Sequence, residues 1–247
     1  MKKLLLSAVV ASTIITSSNA DFLGAEVGYA AWAPELTGNI RNGSDSVDFE
    51  SDLGFGEKQV NSFIWAQFDH FIPLIPNIKV QKTSYSTTAN GIYNLNFTYN
   101  NVNFNDNIQT SSQLTLDQID VIPYWRILDN WVNLDLGFNF KNVKGNFKVN
   151  TVNDKVDENF SVIIPMLYAK ARFDMPFTGL SVEADISYVG YEGNNISDMK
   201  GGVVYESSYG LGATAGIRKQ SLSIDDIDST YGDINIEGFY AGLFYHF

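Results

Sequence analysis

The chain has 247 residues, with 16 basic and 28 acidic side chains and a formal charge of −12 at neutral pH. That balance excludes nucleic acid as a partner, since binding phosphate backbones needs a basic footprint. Cysteine is absent, so an exported form gains no disulfide and must be held by burial and hydrogen bonds.

The first twenty residues read as a secretory signal peptide. Lys2 and Lys3 precede an apolar run from Leu4 to Ala11, and small and polar residues follow up to Ala20. Ser18 and Ala20 supply the small side chains of a cleavage site, placing the cut after Ala20. The run is too short to cross a bilayer as a helix. Residues 21–247 remain, enough for one domain or one closed barrel, and loss of two lysines takes the charge from −12 to −14. No later stretch is long and apolar enough for a spanning helix, so any crossing must use strands.

Two-residue alternation recurs along the rest of the chain. In chain order it predicts strands at 22–33, 60–72, 77–88, 112–126, 131–147, 160–174, 179–191, 199–207, 210–224 and 233–247. The clearest sets Val132, Leu134, Leu136, Phe138 and Phe140 against Asn133, Asp135, Gly137, Asn139 and Lys141. Another sets Leu180, Val182, Ala184, Ile186 and Tyr188 against Ser181, Glu183, Asp185 and Ser187. The joints alternate between tight turns rich in Pro, Gly, Asn or Asp and longer polar stretches such as 34–59 and the Asn-rich 89–111. A soluble sandwich has no reason for that rhythm. A single antiparallel transmembrane β-barrel of about ten strands, with eight or twelve as alternatives, does: its periplasmic turns are short, its extracellular loops longer and its strand number even. Merging 199–207 with 210–224 through a bulge leaves nine and breaks the parity. Trp125 and Trp131 bracket one predicted periplasmic turn, which suits an interfacial girdle, ordinary core packing being the alternative.

The last strand carries Ala241, Leu243, Tyr245 and Phe247 on one face, with Gly238, Tyr240 and Gly242 on the other. This pattern, Gly242, Leu243, Tyr245 and Phe247 above all, resembles the carboxy-terminal assembly signal of bacterial outer-membrane proteins, which the barrel-assembly machinery reads by strand addition. With "FDHFIPLIPNIKVQ" (68–81), "WRILDNWVNLDLGF" (125–138), "MPFTGLSVEADI" (175–186) and "FYAGLFYHF" (239–247), the chain resembles a family of small, largely uncharacterised Gram-negative outer-membrane β-barrel proteins. The resemblance implies fold, an outer-membrane location after export through the Sec pathway, and lipid and lipopolysaccharide as surroundings. It implies no activity. One residue departs from the pattern: Lys82 shares the outward face of Ile78 and Val80, where a mid-membrane Lys costs roughly 2–4 kcal/mol, so either it snorkels or the register there is off by one.

The polar faces place Glu26, Asp69, Lys79, Gln81, Asp120, Asn133, Asp135, Asn139, Lys141, Lys170, Arg172, Glu183, Asp185, Thr214 and Arg218 inside. A polar network of Glu26, Asp120, Asp135, Lys170, Arg172, Glu183, Asp185 and Arg218 is expected to fill the lumen, leaving at most a tight pore. Ala169 opposite Ala184 sets Lys170 beside Glu183. Three functions remain open: a structural or surface-exposed barrel, a solute channel, and an outer-membrane hydrolase. The hydrolase is disfavoured because His70 and His246, the only histidines, both fall near periplasmic ends, out of reach of an outer-rim acid or nucleophile. No cofactor is expected. Asp225, Asp226, Asp228 and Asp233 form an acidic loop cluster without the Gly and Glu of an EF-hand, and Asn159 lies in "DENFS", which resembles an extended glycosylation acceptor.

Overall fold

The computed structural model describes residues 23–42, 45–99, 102–152, 155–227 and 230–247. The expected signal peptide lies outside them. Its strands are β1 (Leu23–Asn42), β2 (Asp45–Asp48), β3 (Asn61–His70), β4 (Asn77–Tyr99), β5 (Val102–Asp129), β6 (Val132–Asn150), β7 (Lys155–Asp174), β8 (Leu180–Tyr191), β9 (Asn194–Glu206), β10 (Leu211–Ile227) and β11 (Thr230–His246). β2 pairs with the tip of β1, and the other ten strands run antiparallel in chain order until β11 closes on β1. The closing ladder runs from Glu26↔His246 to Asn42↔Thr230. β9 and β10 are separate strands joined by a turn at Gly210 (φ +80°), so the wall is a ten-stranded transmembrane barrel with even parity.

Alternation decides which side chains meet lipid. On β11, Phe239, Leu243, Tyr245 and Phe247 point outward and exposed, while Tyr240 and Phe244 are buried inside. Ile64 and Phe68, Ile78 and Val80, Phe138 and Phe140, and Met199 and Val203 extend the same outer apolar surface around the wall. Water would not tolerate a continuous surface of this kind on a monomer; hydrocarbon requires it. The apolar row ends where Ile217↔Phe239 gives way to Lys219↔Glu237, an exposed ion pair of 3.3 Å.

Two expectations need correction and a third alternative is decided. First, residues 89–99 and 102–111 are strand and not loop: β4 and β5 stay paired from Asn77↔Tyr124 to Tyr99↔Val102, and β6 and β7 continue to Asn150↔Lys155. Above the bilayer the outward face of a hairpin meets water, so a paired strand there has no need of an apolar outer row. Second, the β7–β8 register sets Ala171, not Ala169, opposite Ala184, because the ladder places Ala169 against Ile186. Third, the parity around Lys82 is intact. It faces outward, as the first of the polar row Lys82, Ser84, Ser86 and Thr88, while Gln81 and Thr83 are buried inside. The Ser84 hydroxyl donates to Asp117 of β5 (3.3 Å), and the outward apolar residues end with Val80 on β4 and with Ile119, the partner of Lys82, on β5, so the apolar face stops level with Lys82 rather than continuing past it.

A lysine at such a border costs about 0–1 kcal/mol, against roughly 2–4 at the midplane. Replacing it therefore gains little. Lys82→Leu should raise the urea unfolding free energy of the refolded barrel by no more than about 1 kcal/mol, and a larger gain would place this position deep in hydrocarbon.

Candidate functional site

Inside the wall the side chains sort into three layers. Nearest the chain termini is an open vestibule of about 760 Å3, lined by Asp69, His70, Arg126, Arg172, Glu206 and His246 among others. Arg126 bridges Asp69 (3.3 Å) and Asp135 (3.2 Å), and the Tyr124 hydroxyl donates to Asp69. Glu206 lies 3.0 Å from His246 Nδ1 and 3.8 Å from Arg172, whose Nε donates to Asp174 (2.8 Å). Glu26 accepts from the indole N–H of Trp65 (2.5 Å).

The middle layer is a lattice of buried charge. Arg218, with no exposed surface, donates to both oxygens of Asp198 (3.0 and 2.7 Å) and to the Thr83 hydroxyl (3.0 Å). Its guanidinium also sits 5.0 Å from the ring centres of Trp32 and Phe63. Lys141 pairs with Asp198 (2.9 Å) and Asp120 (2.7 Å), and Asn139 donates to Asp120 (2.8 Å) and Ser187 (2.9 Å). Asp185 receives Lys200 (3.1 Å) and Lys79 (3.9 Å). Lys170 pairs with Glu183 at 3.0 Å, diagonally across the ladder, since its direct partner is Asp185. Unpaired, any of these ions would be very costly away from water. Together they form a cross-brace between strands on opposite sides of the barrel.

The outer layer is apolar. Between β2 and β3 the chain turns back into the mouth and buries Phe49, Leu53 and Phe55 against Trp32, Leu36 and Tyr85. The turn is self-capped: Asp48 accepts from the backbone N–H of Glu50 (3.0 Å) and Ser51 (2.8 Å), and Phe55 N donates to Phe49 O (2.8 Å). Gly54 has φ +76°, and a Cβ there would lie 2.0 Å from the Tyr93 hydroxyl oxygen. This segment acts as a plug. The expectation of a wholly polar lumen is corrected by it: the polar lattice occupies only the middle.

The structure thus places Asp120, Asp135, Lys170, Glu183, Asp185 and Arg218 in or beside the lattice, and Glu26 and Arg172 at the vestibule wall. Asp198 and Lys200, central to the lattice, escaped the sequence reading. Strand β9 carries Gly, Ser and Met outward and Ile196 inward, so its polarity does not alternate, and only the spacing of Asp198 and Lys200 two residues apart signals a shared face. Of the predicted assembly signal, Leu243, Tyr245 and Phe247 face outward, with the rings of Tyr245 and Phe247 edge-to-face at 4.7 Å. Gly242 packs where a Cβ would meet Tyr29 O at 2.5 Å. Asp225 and Asp226 end β10 and Asp233 lies in β11, while Asp228 lies outside the described residues. Asn159 is exposed, its side-chain oxygen accepting from Asn146 (2.9 Å). Asn146 also donates to Asp157, holding that carboxyl below the usual range with help from Lys148 and Lys155.

The outer membrane protease OmpT of Escherichia coli shares this architecture with a TM-score of 0.58, covering 96% of this chain and 100% of its own at 8% identity. The chain has the fold of an integral outer-membrane β-barrel. The NalP autotransporter translocator domain of Neisseria meningitidis (TM-score 0.41, 12% identity, 100% and 95% covered) and the Ail attachment invasion locus protein of Yersinia pestis (0.38, 11%, 91% and 99%) are also similar. No protein-family profile and no curated protein sequence matches the chain.

Removing one partner of the central pair should cost several kcal/mol. Arg218→Met alone and Asp198→Leu alone are each expected to lower the unfolding free energy by about 3–5 kcal/mol. The double variant should lose clearly less than the sum, as a urea double-mutant cycle would measure; strict additivity would mean that the pair does not act as a unit.

Proposed function

We propose that this chain is a non-enzymatic, surface-exposed barrel of the outer membrane with at most weak passage of small solutes. Export through the Sec pathway by residues 1–20, insertion through the barrel-assembly machinery by the β11 signal, and lipopolysaccharide as its outer surroundings belong to the same reading. The observation that carries it is the double obstruction of the lumen. The buried lattice around Arg218 and Asp198 fills the middle, and Phe49, Leu53 and Phe55 fill the outer mouth. A conducting channel needs a continuous wet path with weak sites along it, and neither layer offers one.

The non-enzymatic part rests on where the histidines lie. His70 is bonded at the β3–β4 turn, with its ring 3.2 Å from Pro76 O, and His246 pairs with Glu206. Both face the periplasmic end, whereas the tall strands stand on the opposite side. Those strands, 23 residues in β4 and 28 in β5, far exceed the roughly ten that a tilted crossing needs. The excess is wall displayed outside the cell.

Single-channel recording in planar bilayers tests the reading. The refolded barrel should give no discrete, reproducible openings, and regular conductance steps would favour a specific channel. Asp120→Asn or Asp135→Asn abolishing a detected hydrolytic activity, with the barrel still folded by heat-modifiable migration, would favour an enzyme instead.

A further inference from the structure

The ladder between β7 and β8 stops well below the top of β7. Its last pair is Leu167↔Tyr188, and β8 runs on only to Tyr191, which the same register sets level with Ile164, so among the described residues 159–163 of β7 have no ladder partner on that side. The β8–β9 hairpin turns back early, at Glu192 and Gly193, where both residues have positive φ. β6 meanwhile stays in register with β7 up to Asn150↔Lys155. Residues 159–163 of β7 are therefore extended strand with one paired side and one open side. Tyr188 and Tyr191, both exposed, mark the headgroup level beside it, so the open edge stands in water, where it is permitted.

Two features separate this edge from an ordinary one. Natural sheets blunt open edges with charge, bulges or covering groups. On the opposite flank the edge of β4 is covered: Gln59 bonds the carbonyl and N–H of Thr88 (2.6 and 3.2 Å), and Asn61 accepts from Ser86 N (2.7 Å). On β7 the run Asn159-Phe-Ser-Val-Ile-Ile-Pro-Met has no charged residue, and it exposes Phe160, Val162 and Ile163 (65%). Pro165, a residue that central strands do not tolerate, stands two positions above the last β7–β8 pair. Across the notch the rim is acidic, with Glu192, Asp225 and Asp226 exposed and Asp225 N bonded to Asn194 at the hairpin tip.

We infer that residues 159–163 of β7 form a strand-addition site for an extended polypeptide that alternates apolar with basic residues. Main-chain hydrogen bonds to the open edge supply the affinity, and Phe160, Val162 and Ile163 with the acidic rim supply the selectivity. A second copy of the chain is the poorer occupant. It would bring the same acidic rim against this one, and an upright neighbour would have to occupy the arc already filled by β8 to β10. The inference rests on the surface-exposed reading above, but it fails separately: absent peptide binding leaves a silent barrel silent.

The test uses the full barrel refolded in detergent and a fluorescein-labelled peptide alternating valine with lysine. Fluorescence anisotropy should show saturable binding, with slowed amide exchange at residues 159–163. Binding should weaken at least ~10-fold with a proline in mid-peptide, with glutamate in place of lysine, and in Val162→Lys, whose lysine guards the edge. Ile163→Lys serves if that variant loses heat-modifiable migration. Gln109→Lys, on the outer face of β5, should bind as the parent does. Equal binding of the proline-interrupted peptide, no saturation, or unchanged exchange at 159–163 would overturn the inference. So would a dimer of the parent barrel that Val162→Lys dissociates, because the edge would then belong to a second copy.

Discussion

Hydrocarbon has no hydrogen-bond partner to offer a peptide N–H or C=O, and every other feature of this molecule follows from that fact. A sheet in lipid cannot have an edge, so the chain must return to where it began. It does so in the ladder between β1 and β11, seventeen residue pairs long. Small residues make the seam close: a Cβ on Gly238 or Gly242 would lie within 2.5 Å of a β1 carbonyl oxygen. Once the wall is closed, alternation sends one set of side chains to lipid and the other to a narrow interior.

That interior then has its own problem. The inward positions of ten strands are too many for an empty tube and too charged for an apolar core. The middle solves it by pairing, each buried cation of the lattice facing a carboxylate. Asp198 is the clearest example, holding Arg218, Lys141 and Gln220 at once. The outer third solves it differently, by folding part of the chain into the mouth and burying aromatic and aliphatic side chains there. Both solutions fill the interior below the outer rim. There the constraint on edges relaxes, and strands of unequal height leave open backbone facing water.

How much of this was legible in the sequence depends on where lipid acts. Residues 131–147 and the last strand alternate strictly because one face meets hydrocarbon, and their facing was read correctly from polarity alone. Residues 89–99 and 102–111 lack a lipid-facing apolar row although they pair throughout, with Ala89, Tyr93 and Ile108 turned to the filled mouth, so a paired strand looked like a loop. The plug residues Phe49, Leu53 and Phe55 sit in a polar stretch at irregular spacing, and only the closed mouth gives their hydrophobicity a purpose. Asp198 and Lys200 were missed where glycine and serine on the outer face blurred the contrast between sides. The β7–β8 register was misjudged by two residues because parity fixes which face a side chain takes and not which partner it meets. Even so, Lys170 reaches Glu183, since long side chains span the diagonal.

Closure is the claim to test directly, and a chain without cysteine makes it simple. Ala31 and Ala241 are small, outward-facing partners across the β1–β11 seam. With cysteine at both positions, mild oxidation of the membrane-inserted protein should give an intramolecular disulfide in high yield, whereas cysteines at Ala31 and Leu243 should cross-link poorly. Failure of the first pair, or a preference for links between two chains, would contradict a sheet that closes on itself.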